Sequence, residues 1–245
     1  MTSKLLPPVP NPQGLSSSTF KTPPIDGSLS VAEVFDYNAE HSPEHPLFLY
    51  HEPLTNKSTT VTWGSVRRAT HRVAQIVKSH QVPAPRVVAI LALVDTITYF
   101  TLIHGIIRAG YVPFPLSPRN SPAAIAHLLA KTECKHIFLS EDPSMQGLAA
   151  GSLKILAGQG DHQVKRIVTP FFDELYESRP KEDSIPIPKA KSVDLAGPGL
   201  ILHSSGKTLY AIDSGEHSVL RYNLVVTNRK HIVSQTNQDL SQDHR

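Results

Sequence analysis

The residues best suited to chemistry stand together in His203-Ser204-Ser205-Gly206-Lys207-Thr208, where three hydroxyls, one glycine and one cation follow the short apolar run Leu200 to Leu202. The apolar run predicts a buried strand. A turn of this composition suits phosphate, because hydroxyls and backbone N–H groups donate, glycine admits close approach and lysine adds positive charge. The same residues also suit an ordinary strand exit, where small polar side chains satisfy the backbone of a turn. Taken alone, the segment leaves both readings open.

Other candidates are weaker. Gly206-Lys207-Thr208 ends like a nucleotide-binding P-loop, but that motif needs a glycine at the position of Ile201, and Gly199 comes too early. The chain has 13 histidines, so a metal site must be weighed. His41 and His45 are spaced four apart with Glu44 beside them, but Pro43 breaks any shared helical face and no third ligand is in register. Solvated loop histidines are expected there, and no metal. His203 suits either a strand end tied by hydrogen bonds or a position facing a nucleotide. The single cysteine, Cys134, excludes a disulfide framework and fits a small buried apolar residue in a reducing compartment. Arg108 and Arg119 are expected as surface charge rather than catalytic groups.

The whole chain must position these residues. With 245 residues it can bury a real core, and 18% charged residues against 40% apolar ones is a globular balance, not a disordered one. Net charge is only +3 and the cations are dispersed, which argues against nucleic acid. Leu5 and Leu6 are cut off by Pro7, Pro8 and Pro10, so no signal peptide is expected. The most apolar window, Val87 to Leu116, carries Asp95, His104 and Arg108, which fits a core better than a membrane span. A cytoplasmic protein is expected.

Residues 1–27 form a proline- and serine-rich stretch expected to be a flexible leader. Ser30 then predicts a helix start, with Glu33 completing a capping box and a stop before Pro43. Leu47 to Tyr50 and Thr59 to Trp63 predict a hairpin. Thr62 predicts the cap of a helix reaching Ser79, with Val66, Ala69, Val73, Ile76 and Val77 buried and Arg67, Arg68, Arg72 and Lys78 solvated. The continuous apolar run from Val87 predicts a parallel strand covered on both faces. Helices are predicted over Thr96 to Arg108 and, after Ser121-Pro122, over Ala123 to Lys131. Tyr111 to Leu116 is a short apolar segment, and His136 to Leu139 and Ile167 to Thr169 predict strands. A short helix near Phe171 and a linker over Arg179 to Lys191 follow. Strand and helix alternate, so the fold class is α/β with a mainly parallel sheet. Past Gly206, Thr208 to Asp213 and Val219 to Val226 alternate polar and apolar residues and predict a β-hairpin-like tail.

This order of elements resembles the opening of the adenylate-forming superfamily, which includes acyl-CoA synthetases, peptide-synthetase adenylation domains and firefly luciferase. The resemblance rests on Thr62-Trp63, Val87-Val88-Ala89-Ile90-Leu91 and Ala109-Gly110-Tyr111-Val112-Pro113. The continuation from Phe114 to Pro122 resembles the fungal branch of reductases related to aminoadipate reductase. It implies the large domain of that family over 28–206, with Ser204, Ser205 and Gly206 in a loop that meets ATP phosphates with magnesium. It also implies a carboxylic acid substrate and a phosphopantetheine carrier in complete members. After Gly206 the family pattern expects Ser/Thr-Thr-Gly and then Pro-Lys, whereas this chain continues Lys207-Thr208-Leu209-Tyr210. The expectation is therefore a partial domain joined to a divergent tail, 207–245, inactive alone and holding no nucleotide tightly. A non-catalytic, partner-binding or non-functional truncated protein is the alternative.

Overall fold

Short polar side chains start the first five helices of the computed structural model, which describes residues 17–24, 26–52, 56–84, 86–160, 162–183, 185–190, 198–203, 208–213 and 219–223. Ser30 caps α1 (Val31–His41), with the reciprocal bond from the Ser30 N–H to Glu33 completing the predicted capping box. Thr62 caps α2 (Trp63–Ser79) by accepting from the Ser65 N–H. Asp95 caps α3 (Thr96–Arg108), and Ser121 caps α4 (Pro122–Lys131) with proline at its first position. Each such bond satisfies an N–H that the helix cannot pair internally. After α3 the chain reverses at Gly110, whose φ of +83° is costly for any residue with a Cβ.

β1 (Pro46–Glu52) and β2 (Lys57–Thr62) form the predicted antiparallel hairpin. β3 (Val87–Leu91), β4 (Val112–Pro115), β5 (His136–Leu139) and β6 (Lys165–Val168) form a parallel sheet in the order β4-β3-β5-β6. Every side chain of β3 is buried, as its unbroken apolar run requires. On one face, Val73 and Val77 of α2 and Leu102 and Ile106 of α3 pack against Val88, Ile90 and Phe138. On the other, Ile125 and Leu129 of α4 pack with Met145 and Leu156 against Ala89, Leu91 and Ile137.

Met145 and Leu156 belong to α5 (Pro143–Ala157), a helix the sequence reading passes over. Beyond β6 lie α6 (Phe172–Tyr176) and α7 (Pro180–Asp183). β7 (Pro198–His203) does not extend the parallel sheet. It pairs antiparallel with β8 (Thr208–Asp213), which pairs antiparallel with β9 (Val219–Asn223), in a separate three-stranded sheet.

Three arginines differ from expectation. Arg108 is buried, not surface charge, and its Nη1 lies 2.7 Å from Oδ1 of buried Asp36. Arg67 reaches the same oxygen through Nε at 2.9 Å. Their other nitrogens donate to the carbonyls of Ile187 and Pro188, while the Ala190 N–H donates to Asp36 Oδ2. The linker is thus stapled across α1, α2 and α3. Arg72 donates to the carbonyls of Leu175 and Glu177, so it ties α2 to α6 rather than facing solvent alone. Part of the expected leader also makes contacts: the Lys21 N–H donates to Ser42 Oγ at 2.8 Å, and the Phe20 ring lies 4.9 Å from that of His45.

Candidate functional site

β7 brings the chain to the segment that sequence marks for phosphate. Ile201 is only 6% exposed and joins the core with α4 and α5, so the position where a P-loop needs glycine is an anchored strand residue. β7 runs beside β4, and its last residue is fixed from there. The Ser117 N–H donates to His203 Nε2 at 3.2 Å, and the Asn120 amide nitrogen lies 3.3 Å from the same atom. With Nε2 accepting, the neutral ring carries its proton on Nδ1; this tautomer is assigned from the bonds. The Phe114 ring meets His203 edge-on at 6.1 Å. His203 is therefore a strand end tied by hydrogen bonds, and it sits at the mouth of a groove.

That groove, about 610 Å³, lies outside the C-terminal ends of β3 and β4. The helices that follow these two strands, α3 and α4, cover opposite faces of the sheet. Their loops diverge and leave a crevice, the place where open α/β sheets take ligands. Tyr99, Phe100 and Ile103 from α3 form one wall, with Leu116, Leu202 and His203 opposite. No carboxylate, ammonium or guanidinium is among the described lining residues. Burial pushes the Tyr99 phenol up to about 12, so it stays neutral near pH 7. The groove offers apolar contact and neutral hydrogen bonding.

Ser204, Ser205, Gly206 and Lys207 lie outside the described residues. The structure places the strand that delivers them and the groove beside it. The remaining candidates are spread apart. His41 Nδ1 donates to the Tyr37 carbonyl at 2.9 Å, whereas His45 Nδ1 lies 2.8 Å from Thr19 Oγ1. No group of three or more His, Cys, Asp or Glu poised for a metal occurs among the described residues. Cys134 is fully buried; burial pushes its thiol up to about 11, which leaves it inert as a nucleophile. Arg119 is exposed in the turn after β4, as expected. No helix among the described residues is long and apolar enough to cross a membrane. The groove itself escaped sequence reasoning. Its signal was the pair of apolar runs ending in Ala92 and Leu116 with an aromatic-rich helix start between them.

A parallel sheet with this strand order, opening at a crevice beyond the ends of β3 and β4, defines an α/β domain of the kind that takes ligands at its strand ends. Residues 35–208 match the AMP-binding enzyme family, and the chain belongs to it. It is 36% identical over 217 residues to the adenylate-forming reductase Nps10 of Heterobasidion annosum, a match covering 84% of this chain and 20% of that protein. It is 42% identical over 137 residues to the adenylate-forming reductase Nps11 of Serpula lacrymans var. lacrymans (strain S7.9), covering 55% and 12% respectively. The chain thus spans about a fifth or less of the length of these curated relatives. Among solved structures, the luciferase-like enzyme of the mealworm Zophobas morio superposes with a TM-score of 0.59 at 18% identity, over 80% of this chain and 45% of that one. A benzoate CoA ligase from Burkholderia xenovorans LB400 gives 0.53 at 18% identity, over 75% and 34%. At that identity the two structures speak to the fold alone.

Proposed function

We propose that this chain is the N-terminal part of an adenylate-forming enzyme of the reductase-like branch. In this reading Ser204, Ser205 and Gly206 belong to the loop that holds ATP phosphates with magnesium. The whole enzyme joins a carboxylic acid to AMP, releases pyrophosphate and passes the acyl group to a phosphopantetheine carrier. The observation that carries the reading is the matched stretch, 35–208, which crosses the parallel sheet and continues along β7 through Gly206. Residues 28–206 form the family's portion, 207–245 a divergent tail, and the protein works in the cytoplasm.

The described residues at the exit of β7 do not by themselves fit magnesium triphosphate. Among the described residues the groove lining supplies no cation to balance phosphate charge and no carboxylate for the metal. Lys207-Thr208-Leu209-Tyr210 stands where a second glycine and Pro-Lys are called for. A site lacking those donors cannot fix the reacting groups, so the chain alone does not complete adenylation. Titration calorimetry with magnesium and ATP, paired with pyrophosphate exchange, tests this. The expected result is no micromolar affinity and no exchange; micromolar binding overturns the claim of incompetence. Reading the coding DNA past Gly206 in three frames tests the tail. The missing glycine and Pro-Lys codons in another frame identify a gene-model artefact, and their absence supports a non-catalytic product.

A further inference from the structure

β6 is one margin of the parallel sheet, and its pairing with β5 decides which backbone groups are left over. The Lys165 N–H donates to the Lys135 carbonyl at 2.8 Å and the Thr169 N–H to the Leu139 carbonyl at 3.2 Å, so residues 165, 167 and 169 address β5. In an extended strand the N–H and C=O of one residue point the same way, and those of its neighbours point oppositely. Arg166 and Val168 therefore turn theirs away from β5, and among the described residues no strand pairs with that side. Pro170, next in this outward series, has no N–H to give. The side chains of Arg166 and Val168 share one face and are exposed, while Ile167 between them is buried in the core with α2 and α3.

The charges along this edge are complementary to their own reverse. Lys165 and Arg166 open the strand, Val168 ends it, and α6 follows with Asp173 and Glu174 in its first turn. Two copies related by a two-fold axis would pair antiparallel, and the registers differ in what they oppose. Arg166 opposite Arg166 sets like charges face to face, which destabilises a ladder. Val168 opposite Val168 sets Arg166 against Pro170, which cannot donate. Arg166 opposite the partner's Val168 completes both hydrogen-bonded pairs, with Ile167 on the axis. That register keeps the cations apart and carries each cationic start toward the acidic first turn of the partner's α6.

We propose that β6 pairs antiparallel with the β6 of a second copy of this chain, Arg166 opposite the partner's Val168, making one continuous sheet across a two-fold dimer. The pairing uses up both open β6 edges, so assembly stops at two chains. It does not depend on nucleotide and is separate from the groove at His203.

Sedimentation equilibrium and amide hydrogen exchange on the full chain, without nucleotide, test the proposal. A reversible monomer–dimer equilibrium is expected, in which the Arg166 and Val168 amides gain protection as dimer fills, while those of Ile167 and Thr169 are protected throughout. Val168→Glu sets a carboxylate opposite the partner's Arg166 twice per dimer and is expected to tighten dimerisation at least about threefold. Val168→Lys is expected to weaken it by a similar factor. Leu49→Glu and Leu49→Lys make the same changes of net charge at an exposed residue of β1 and are expected to leave dimerisation unchanged. A monomer at millimolar concentration, Arg166 and Val168 amides indifferent to concentration, growth beyond two chains, or both Val168 variants weakening association alike each overturns the proposal. Leu49 variants that act like the Val168 variants also overturn it, because net charge rather than this register then sets the affinity.

Discussion

Asp36 shows how a single side chain organises three helices that are distant in sequence. Its carboxylate takes Arg67 at 2.9 Å, Arg108 at 2.7 Å and the Ala190 N–H at 2.6 Å while remaining almost wholly buried. Removing it strands two guanidinium groups in low dielectric, so Asp36→Ala is expected to cost about 3–5 kcal/mol in urea unfolding. A loss below about 1 kcal/mol, the scale of a surface pair, would show that solvent already screens the cluster. None of this was legible from spacing, because Arg108 meets Asp36 across 72 residues and has no acidic partner one turn away. Cys134, by contrast, was legible, since a lone cysteine between apolar runs has little to do but pack. Histidines set the pH response. His104 lies between the rings of Phe35 and Phe100, at 4.5 and 4.1 Å, and burial holds it down to about 4 against an ordinary 6.5. Burial, His80 and Lys165 lower His136 in the same direction. The folded protein therefore binds fewer protons than the unfolded chain below 6.5. Stability from these groups is full above that pH and falls as acid is added toward 4. The urea midpoint should drop between neutrality and about pH 4.5, and His104→Phe, which keeps the ring stack, should flatten part of that slope. An identical slope in the variant would remove His104 from the account.

Contact between elements sets the next level. α2 and α3 approach so closely at Gly105 that an added Cβ would overlap Val73 and stand 3.0 Å from the Thr70 carbonyl. Gly105→Ala is accordingly expected to destabilise by about 1–3 kcal/mol, the usual cost of overpacking. Combining it with Val73→Gly, which removes the Cβ nearest the added methyl, should cost less in a thermal melt than the two single changes summed. Strictly additive losses would mean that the clash lies with the backbone instead. Elements with a strong periodic stripe and a recognisable cap, such as α1, α2 and α3, were readable to within a residue or two. α5 was not. Its interior holds Gly147 and Gly151, and small residues dilute its stripe, although Met145, Ala149, Ser152 and Leu156 do fall on one buried side. The usable signal was Asp142-Pro143, a cap followed by proline at the first helical position. The pairing of β7 with β8 was hidden for another reason. A short apolar run looks the same in a parallel or antiparallel ladder, and only its partner decides.

For the whole molecule, the parallel sheet covers both of its faces but leaves apolar surface at its margins. Among the described residues β6 pairs on one side only, with β5. Beside that edge Val168 is 66% exposed, Phe171 57% and Ile185 66%. Leu49 adds a further site on β1, at 76%. A strand edge flanked by aliphatic side chains is a template for pairing with another chain, and natural proteins blunt such edges with charge, cover or closure. β6 does begin with Lys165 and Arg166, which offer partial protection, but its C-terminal half has none. Matched relatives are several times longer than this chain, so surface left open here can have company there. The chain produced alone is expected to self-associate with rising concentration, read by size-exclusion chromatography with light scattering. Val168→Lys, which puts charge on the open end of β6, should lower the associated fraction without changing the circular dichroism. A monodisperse wild-type chain with a sharp two-state melt at high concentration would show that the edge is already protected. Association unchanged by Val168→Lys would move the sticky surface elsewhere, with the exposed Leu49 of β1 the next place to put a charge.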